Sequence, residues 1–154
     1  MPEQSRQDLV TLLTGEHAAI LVLLRGLEQR LASMSLEEMR SAAVWLEHLM
    51  RNHAIDEDTL LFNALPATQR GVGDTLEAMQ REHEEQRVLL EAMREVTDAA
   101  LARAQMRKVI EASREHFAVE ERVLFGLAQD LLGSARLTEL GREFCRRRGI
   151  ACPE

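Results

Sequence analysis

Four stretches of the chain repeat apolar residues at steps of three and four, and each is interrupted once by a histidine, at His17, His53, His83 and His116. Such steps line one face of a helix, so each stretch reads as an amphipathic helix whose buried stripe is broken at one histidine-bearing turn. The first stripe is Leu13, His17, Ile20, Leu24, Leu27 and Leu31, and the second is Met39, Ala43, Leu46, Met50, His53, Glu57 and Leu60. The third is Leu76, Met79, His83, Leu90 and Met93, and the fourth is Leu101, Val109, Ala112, His116, Glu120, Val123 and Leu127. Four helices with one apolar face each bury those faces against one another. With 154 residues, no Tyr and four Phe, the chain is material for an all-α fold in one domain, residues 1–154.

The punctuation between the stripes sets the helix ends. Ser5 is expected to cap the first helix, which runs to about residue 32, and Ser35 with Glu38 forms a capping box for the second, which stops before Pro66. Gly71 and Gly73 break the chain again, and Asp74 with Glu77 offers a cap for the third helix. Asp98 caps the fourth, which ends near Gly133, and Ser134 opens a short fifth. Connections this short predict an up-down-up-down four-helix bundle over about residues 5–132, with the fifth helix and tail at 134–154 lying across an end or side.

The histidines carry the chemistry. A buried imidazole without a partner costs on the order of 2 kcal/mol, so a core that accepts four of them is expected to give them something to bind. Two of the helices add a glutamate one turn on, His53 to Glu57 and His116 to Glu120, on the same face as the histidine. A buried carboxylate is costly unless it meets a cation, and one lying between two ions can give an oxygen to each, so two such carboxylates imply two metals. The halves of the chain also repeat: HAIDEDTLLF from His53 aligns with HFAVEERVLF from His116, and the separations are 66 residues for His17 to His83 and 63 for His53 to His116. Two helix hairpins related by an approximate twofold would each bring two His and one Glu.

Single histidines in helices one and three, with H-x-x-x-E followed by Leu-Phe in helices two and four, resemble the hemerythrin-like (HHE cation-binding) domain over about residues 13–128. Ferritin-like di-iron bundles instead use Glu-x-x-His. The resemblance implies His17, His53, His83 and His116 as terminal metal ligands, Glu57 and Glu120 as bridges, and two non-haem irons joined by an oxo or hydroxo group. Imidazole and carboxylate donors by themselves also suit Mn or Zn; the resemblance selects iron. The oxygen-carrying members have a further histidine one turn beyond the one in helix three, where this chain has Arg87. The departure weighs against reversible O2 transport. Arg87 is expected either to hold a carboxylate or anion or to be a solvated arginine at the bundle edge.

Other residues read more simply. His48 is expected at the surface or boundary, Trp45 in packing beside the second stripe, Met50 and Met79 as core filler, and Asp58 and Glu121 as solvated groups with a weaker claim to support the metal ligands. Arg142, Arg146, Arg147 and Arg148 suit a helix C-terminus and could also dock the fifth helix or a partner. Cys145 and Cys152 are expected as reduced thiols, since a bond between them closes only a short loop.

A net charge of -7 disfavours nucleic acid and anionic membrane surfaces as partners. No apolar run approaches the roughly 20 residues of a membrane span, and Met1 to Leu9 is polar rather than a basic-then-apolar secretion signal, so the expected location is cytoplasmic. The expected function is a di-iron protein that binds or reacts with a small oxidant such as O2, NO or peroxide, with peroxide or NO consumption as the enzymatic form. Iron storage, sensing or delivery without turnover is the alternative, and a metal-free helical interaction module is a third reading.

Overall fold

The computed structural model of the chain describes residues 7–152. Helix α1 spans Leu9–Arg30 and tightens into a 3-10 turn at Leu31–Ser33; α2 spans Leu36–Asp56, α3 Val72–Ala92, α4 Ala99–Val119 and α5 Phe125–Arg148. Among the described residues there is no strand. The expected all-α bundle is present. The predicted fourth and fifth helices are α4 with the two segments of α5: non-helical Gly133 (φ 73°, ψ 167°), a conformation open to glycine, divides α5 into a piece that completes the fourth bundle helix and a longer C-terminal piece.

Several helix ends follow the sequence signals. Ser35 and Glu38 form the capping box of α2, and Asp98 caps α4 by accepting from the Leu101 amide. Ser5 lies outside the described residues; Asp8 is the cap of α1, accepting from the Thr11 amide at 2.8 Å. The third helix starts earlier than predicted. It opens at Val72 behind Gly71 (φ 83°), which leaves Asp74 inside the first turn, where its charge faces the positive helix end.

Two pieces of backbone depart from regular helix in parallel. After α2 and after α4 the chain adopts five-residue π-helical turns, Glu57–Leu61 and Glu120–Leu124, each beginning on the glutamate of an H-x-x-x-E motif. The wider turn adds a residue and rotates the face that follows. Hence Leu124 is buried where the stripe predicted Val123, which is 38% exposed. Leu101, predicted at the start of the same stripe, is also exposed, and Ala102 takes the inward position.

The α1–α2 and α3–α4 connections lie at one end of the bundle, where Arg103 donates to the Leu31 and Met34 carbonyls at 3.0 and 3.2 Å and Arg40 donates to the Val96 carbonyl. The core divides in two. One cluster, around Leu13, Leu61, Leu76, Leu124 and Phe144, sits at the α5 end, and the other, around Leu24, Met39, Leu90, Met106 and Phe117, at the connection end. Between them lies a polar layer containing all four stripe histidines. The C-terminal piece of α5 packs on α1, and Gly141 permits this, because a Cβ there would stand 2.7 Å from the Gln7 carbonyl oxygen.

Residues Leu9–Ser33 are by length and composition apolar enough to cross a membrane, with a best-window mean hydropathy of 1.4, more than the sequence expectation allowed. The same segment carries Glu16, His17, Arg25, Glu28 and Arg30, and its inner stripe packs in the bundle.

Candidate metal centre

The structure brings the six predicted residues together in two overlapping groups. His17, His53, Glu57 and Glu120 form one, and Glu57, His83, His116 and Glu120 the other, with the donor atoms of each group within 4.8 Å of one another. Both glutamates belong to both groups and are fully buried, and the four imidazoles are at most 8% exposed at the side chain.

Glu120 spans the two groups with its two oxygens. Its Oε2 lies 3.2 Å from His17 Nε2, while its Oε1 lies 2.7 Å from His116 Nε2 and 3.4 Å from His83 Nε2. Glu57 reaches His53 Nε2 at 3.2 Å and His83 Nε2 at 3.6 Å through one oxygen, Oε2. All four rings turn Nε2 inward. The outward Nδ1 atoms each meet a carboxylate from a neighbouring helix: His17 meets Glu121 at 3.2 Å, His53 meets Glu16 at 2.7 Å, His83 meets Asp58 at 3.3 Å and His116 meets Glu82 at 2.6 Å.

This arrangement decides what the centre can hold. A ring donating from Nδ1 to a carboxylate presents an unprotonated Nε2 in its neutral form, the second-sphere pattern common to metal-binding histidines. His17 Nε2 and His53 Nε2 then face each other at 3.0 Å as two acceptors. Neither glutamate's oxygens nor the inner nitrogens of His83 and His116 have an aligned hydrogen-bond partner among the described residues, although all lie close together. Converging imidazole and carboxylate donors of this kind suit a bound cation, and the donor set, two imidazoles and two shared carboxylates on each side, fits non-haem iron, Mn or Zn.

Without a cation the site takes up protons instead. Burial pulls the His53 ring down, but the carboxylates of Glu16 and Glu57 outweigh it and raise it to about 9. Burial likewise opposes protonation of His83, yet Asp58, Glu120 and Glu57 lift it to about 11. Burial favours the neutral acid at Glu120, but the rings of His116, His17 and His83 hold it well below the usual carboxylate range.

Aromatic rings fix the imidazoles from the sides. The Phe of each Leu-Phe pair stacks on the histidine of the opposite hairpin, Phe62 on His83 (centroids 5.9 Å apart) and Phe125 on His17 (5.4 Å). Phe117 adds a closer stack on His17 at 4.1 Å.

Some supporting residues escaped the sequence reading. Glu16 and Glu82 were not singled out, although each precedes a stripe histidine and they stand 66 residues apart, as His17 and His83 do. Asp58 and Glu121, expected to be mainly solvated, pair with ligand-candidate rings and share the 63-residue separation. The internal repeat was the signal. Arg148 carried no such signal: it donates to Glu16 at 2.8 Å and to Asp56 at 2.6 Å, while Arg147 donates to Asp56 at 3.2 Å. The arginine-rich tail thus docks α5 against the site through these two residues, whereas Arg146 pairs with Glu143 on its own helix.

Two minor expectations change, for Trp45 and for the cysteines, while Arg87 stands as expected. Trp45 is 70% exposed rather than packed, because eight residues before His53 carry it about 80° round α2 to the outer face, beside an equally outward His48. Arg87 pairs with Glu84 and Glu91 on its own helix, a surface ion-pair cluster. Cys145 and Cys152 are joined rather than free: Gly149 (φ 64°) ends α5 and turns the chain back, bringing the two Cα atoms to 5.9 Å.

The model of the hemerythrin HHE cation-binding domain matches residues 8–128. The chain belongs to the hemerythrin HHE cation-binding family. No curated protein and no solved structure matches it. The matched segment contains all six site residues and ends before the C-terminal piece of α5, so Arg147 and Arg148 lie outside it.

Proposed function

We propose that this protein holds two non-haem irons between its hairpins, with His17 and His53 on one, His83 and His116 on the other, and Glu57 and Glu120 shared, and that the pair binds or reacts with a small oxidant. The observation that carries the reading is the inward convergence of four Nε2 atoms on two fully buried carboxylates, with a further carboxylate within 3.3 Å of each outward Nδ1. When bound, an iron pair supplies redox change and open positions for O2, NO or peroxide. The chain's own contribution is to fix the rings in one tautomer, to share two carboxylates and to limit water through Phe62, Phe117 and Phe125.

The surface position of Arg87, paired with Glu84 and Glu91, supports a site with two histidines on each side and favours reaction or sensing over oxygen carriage. The test is purification from iron-supplemented cells, a metal count per chain, and spectra with dithionite, O2, NO and peroxide. About two irons with an oxo-bridge absorption that responds to these ligands is the expected result. Iron that chelators strip easily and that ignores all four reagents would replace this reading with iron storage or delivery. Absence of stoichiometric metal in a folded protein would leave a helical module with structural histidines.

A further inference from the structure

The approximate twofold relates α1 to α3 and α2 to α4, so each residue near the site has a counterpart 66 or 63 positions away. The six site residues and their four supporting carboxylates obey it. One flank of the site does not. The 66- and 63-residue offsets pair Phe117, Ser113 and Ile20 with Ala54, Met50 and Gln86, of which the last three line one flank between α2 and α3. On the opposite flank the Phe117 ring lies against His17. On the α2–α3 flank, alanine stands in place of that ring, and a cavity of about 250 Å³ reaches His83, lined among others by Met50, Ala54, Asp58, Gln86 and Arg87.

Gln86 is the unusual member of this wall. It lies one turn after His83 on the inner stripe, is 4% exposed, and its side-chain nitrogen has no hydrogen-bond partner among the described residues. The twofold counterpart is an isoleucine, and an apolar residue fills such a position without the cost of an unpaired amide. The amide also borders a second, smaller cavity that reaches His116, so it stands beside both histidines of one half of the centre.

We propose that this cavity is where the exogenous molecule binds, on the His83/His116 side of the centre, and that the Gln86 amide donates a hydrogen bond to it. The inference rests on the metal-pair reading above. The ligand class is a small molecule that accepts a hydrogen bond, such as O2, NO or peroxide. Ala54 sets the space, Gln86 the polarity, and the route runs between α2 and α3, past Arg51 and Arg87 at the cavity rim. On the opposite flank the Phe117 ring stacks on His17 at 4.1 Å.

The experiment uses the iron-loaded full chain with azide as the probe, following ligand absorption during titration and counting metal in every sample. Gln86→Leu, which removes the donor at similar volume, is expected to keep its full iron content and bind azide about tenfold more weakly, the worth of one hydrogen bond. Gln86→Glu keeps the length but replaces the donor with an acceptor, and is expected to weaken azide further. Ala54→Phe, which copies the opposite flank, is expected to abolish azide binding with iron retained. In the metal-free protein Gln86→Leu is expected to raise the urea midpoint, a readout independent of any ligand. Unchanged azide affinity in Gln86→Leu and Ala54→Phe at full iron content would overturn the inference and leave the metal-pair reading intact. A parent protein with no stoichiometric iron would overturn both.

Discussion

The two hairpins, α1–α2 and α3–α4, are alike where they meet and different around that meeting place. Each gives two histidines, one shared glutamate, two supporting carboxylates, a π-helical turn and a phenylalanine stacked on the other's histidine. Their surroundings diverge in two ways. The α2–α3 flank is open beside His83, while the α4–α1 flank is filled by Phe117. On the other hand, among the described residues only the first hairpin is braced from outside, because Arg148 grips Glu16, which holds His53, whereas its counterpart Glu82 is 40% exposed at the side chain and pairs with no arginine there. The lesson is that a repeated sequence fixes the donors, while single positions such as Ala54 and additions such as α5 make two chemically similar places unequal.

The shared glutamates offer the largest effect. Glu120 touches three histidines with both oxygens and Glu57 touches two with one, so Glu120→Ala is expected to drop the metal count from two per chain to one or fewer, and Glu57→Ala to do so less completely. Metal analysis after gel filtration reads this directly, and circular dichroism is expected to show the bundle still folded, since most of each stripe remains. Equal losses for both would show that the unequal contacts do not matter.

The supporting carboxylates come next. Glu16→Gln and Glu82→Gln each keep a hydrogen-bond acceptor but lose the charge behind one ring, and a loss of roughly 10-fold to 100-fold in metal affinity is expected for each. A competition titration against a coloured chelator measures it. If the brace counts, Arg148→Ala will weaken only the His17/His53 half, by less than Glu16→Gln itself, and the two binding steps will separate in the titration. Unseparated steps would make Arg148 a docking residue for α5 alone.

A smaller and pH-dependent effect distinguishes the hairpins without metal. His53 is raised from 6.5 to about 9 in the fold, so its contribution to stability is full below pH 6.5 and fades as the pH rises through about 9; His83, raised to about 11, holds on longer. Glu120 is lowered, so its contribution is present above about 4.5 and is lost as the pH falls through its folded value. The urea midpoint of the metal-free protein is therefore expected to peak between about pH 4.5 and 6.5 and to fall on the alkaline side. Ring NMR signals are expected to show His53 releasing its proton before His83, and bound metal to flatten the profile by displacing those protons.

What the sequence determined alone is the part governed by helical period. Positions three and four apart share a face in any α-helix, so Leu13 to Leu31 and Met39 to Leu60 could be read as buried stripes, and His17, His53, His83, His116, Glu57 and Glu120 as inward groups, before any fold was known. The same rule misplaced Leu101 and Val123, because drift along a helix and the π turn at Glu120 both rotate the face. The internal repeat signals the carboxylates behind the rings, but tertiary structure alone decided what braces and covers those groups. Arg148 lies 132 residues from Glu16, Phe62 is on a different helix hairpin from the His83 it covers, and the open flank at Ala54 exists only because α2 and α3 pack at a given distance. Period is local and survives in one dimension; support and access depend on which helices become neighbours, and no local spacing encodes that.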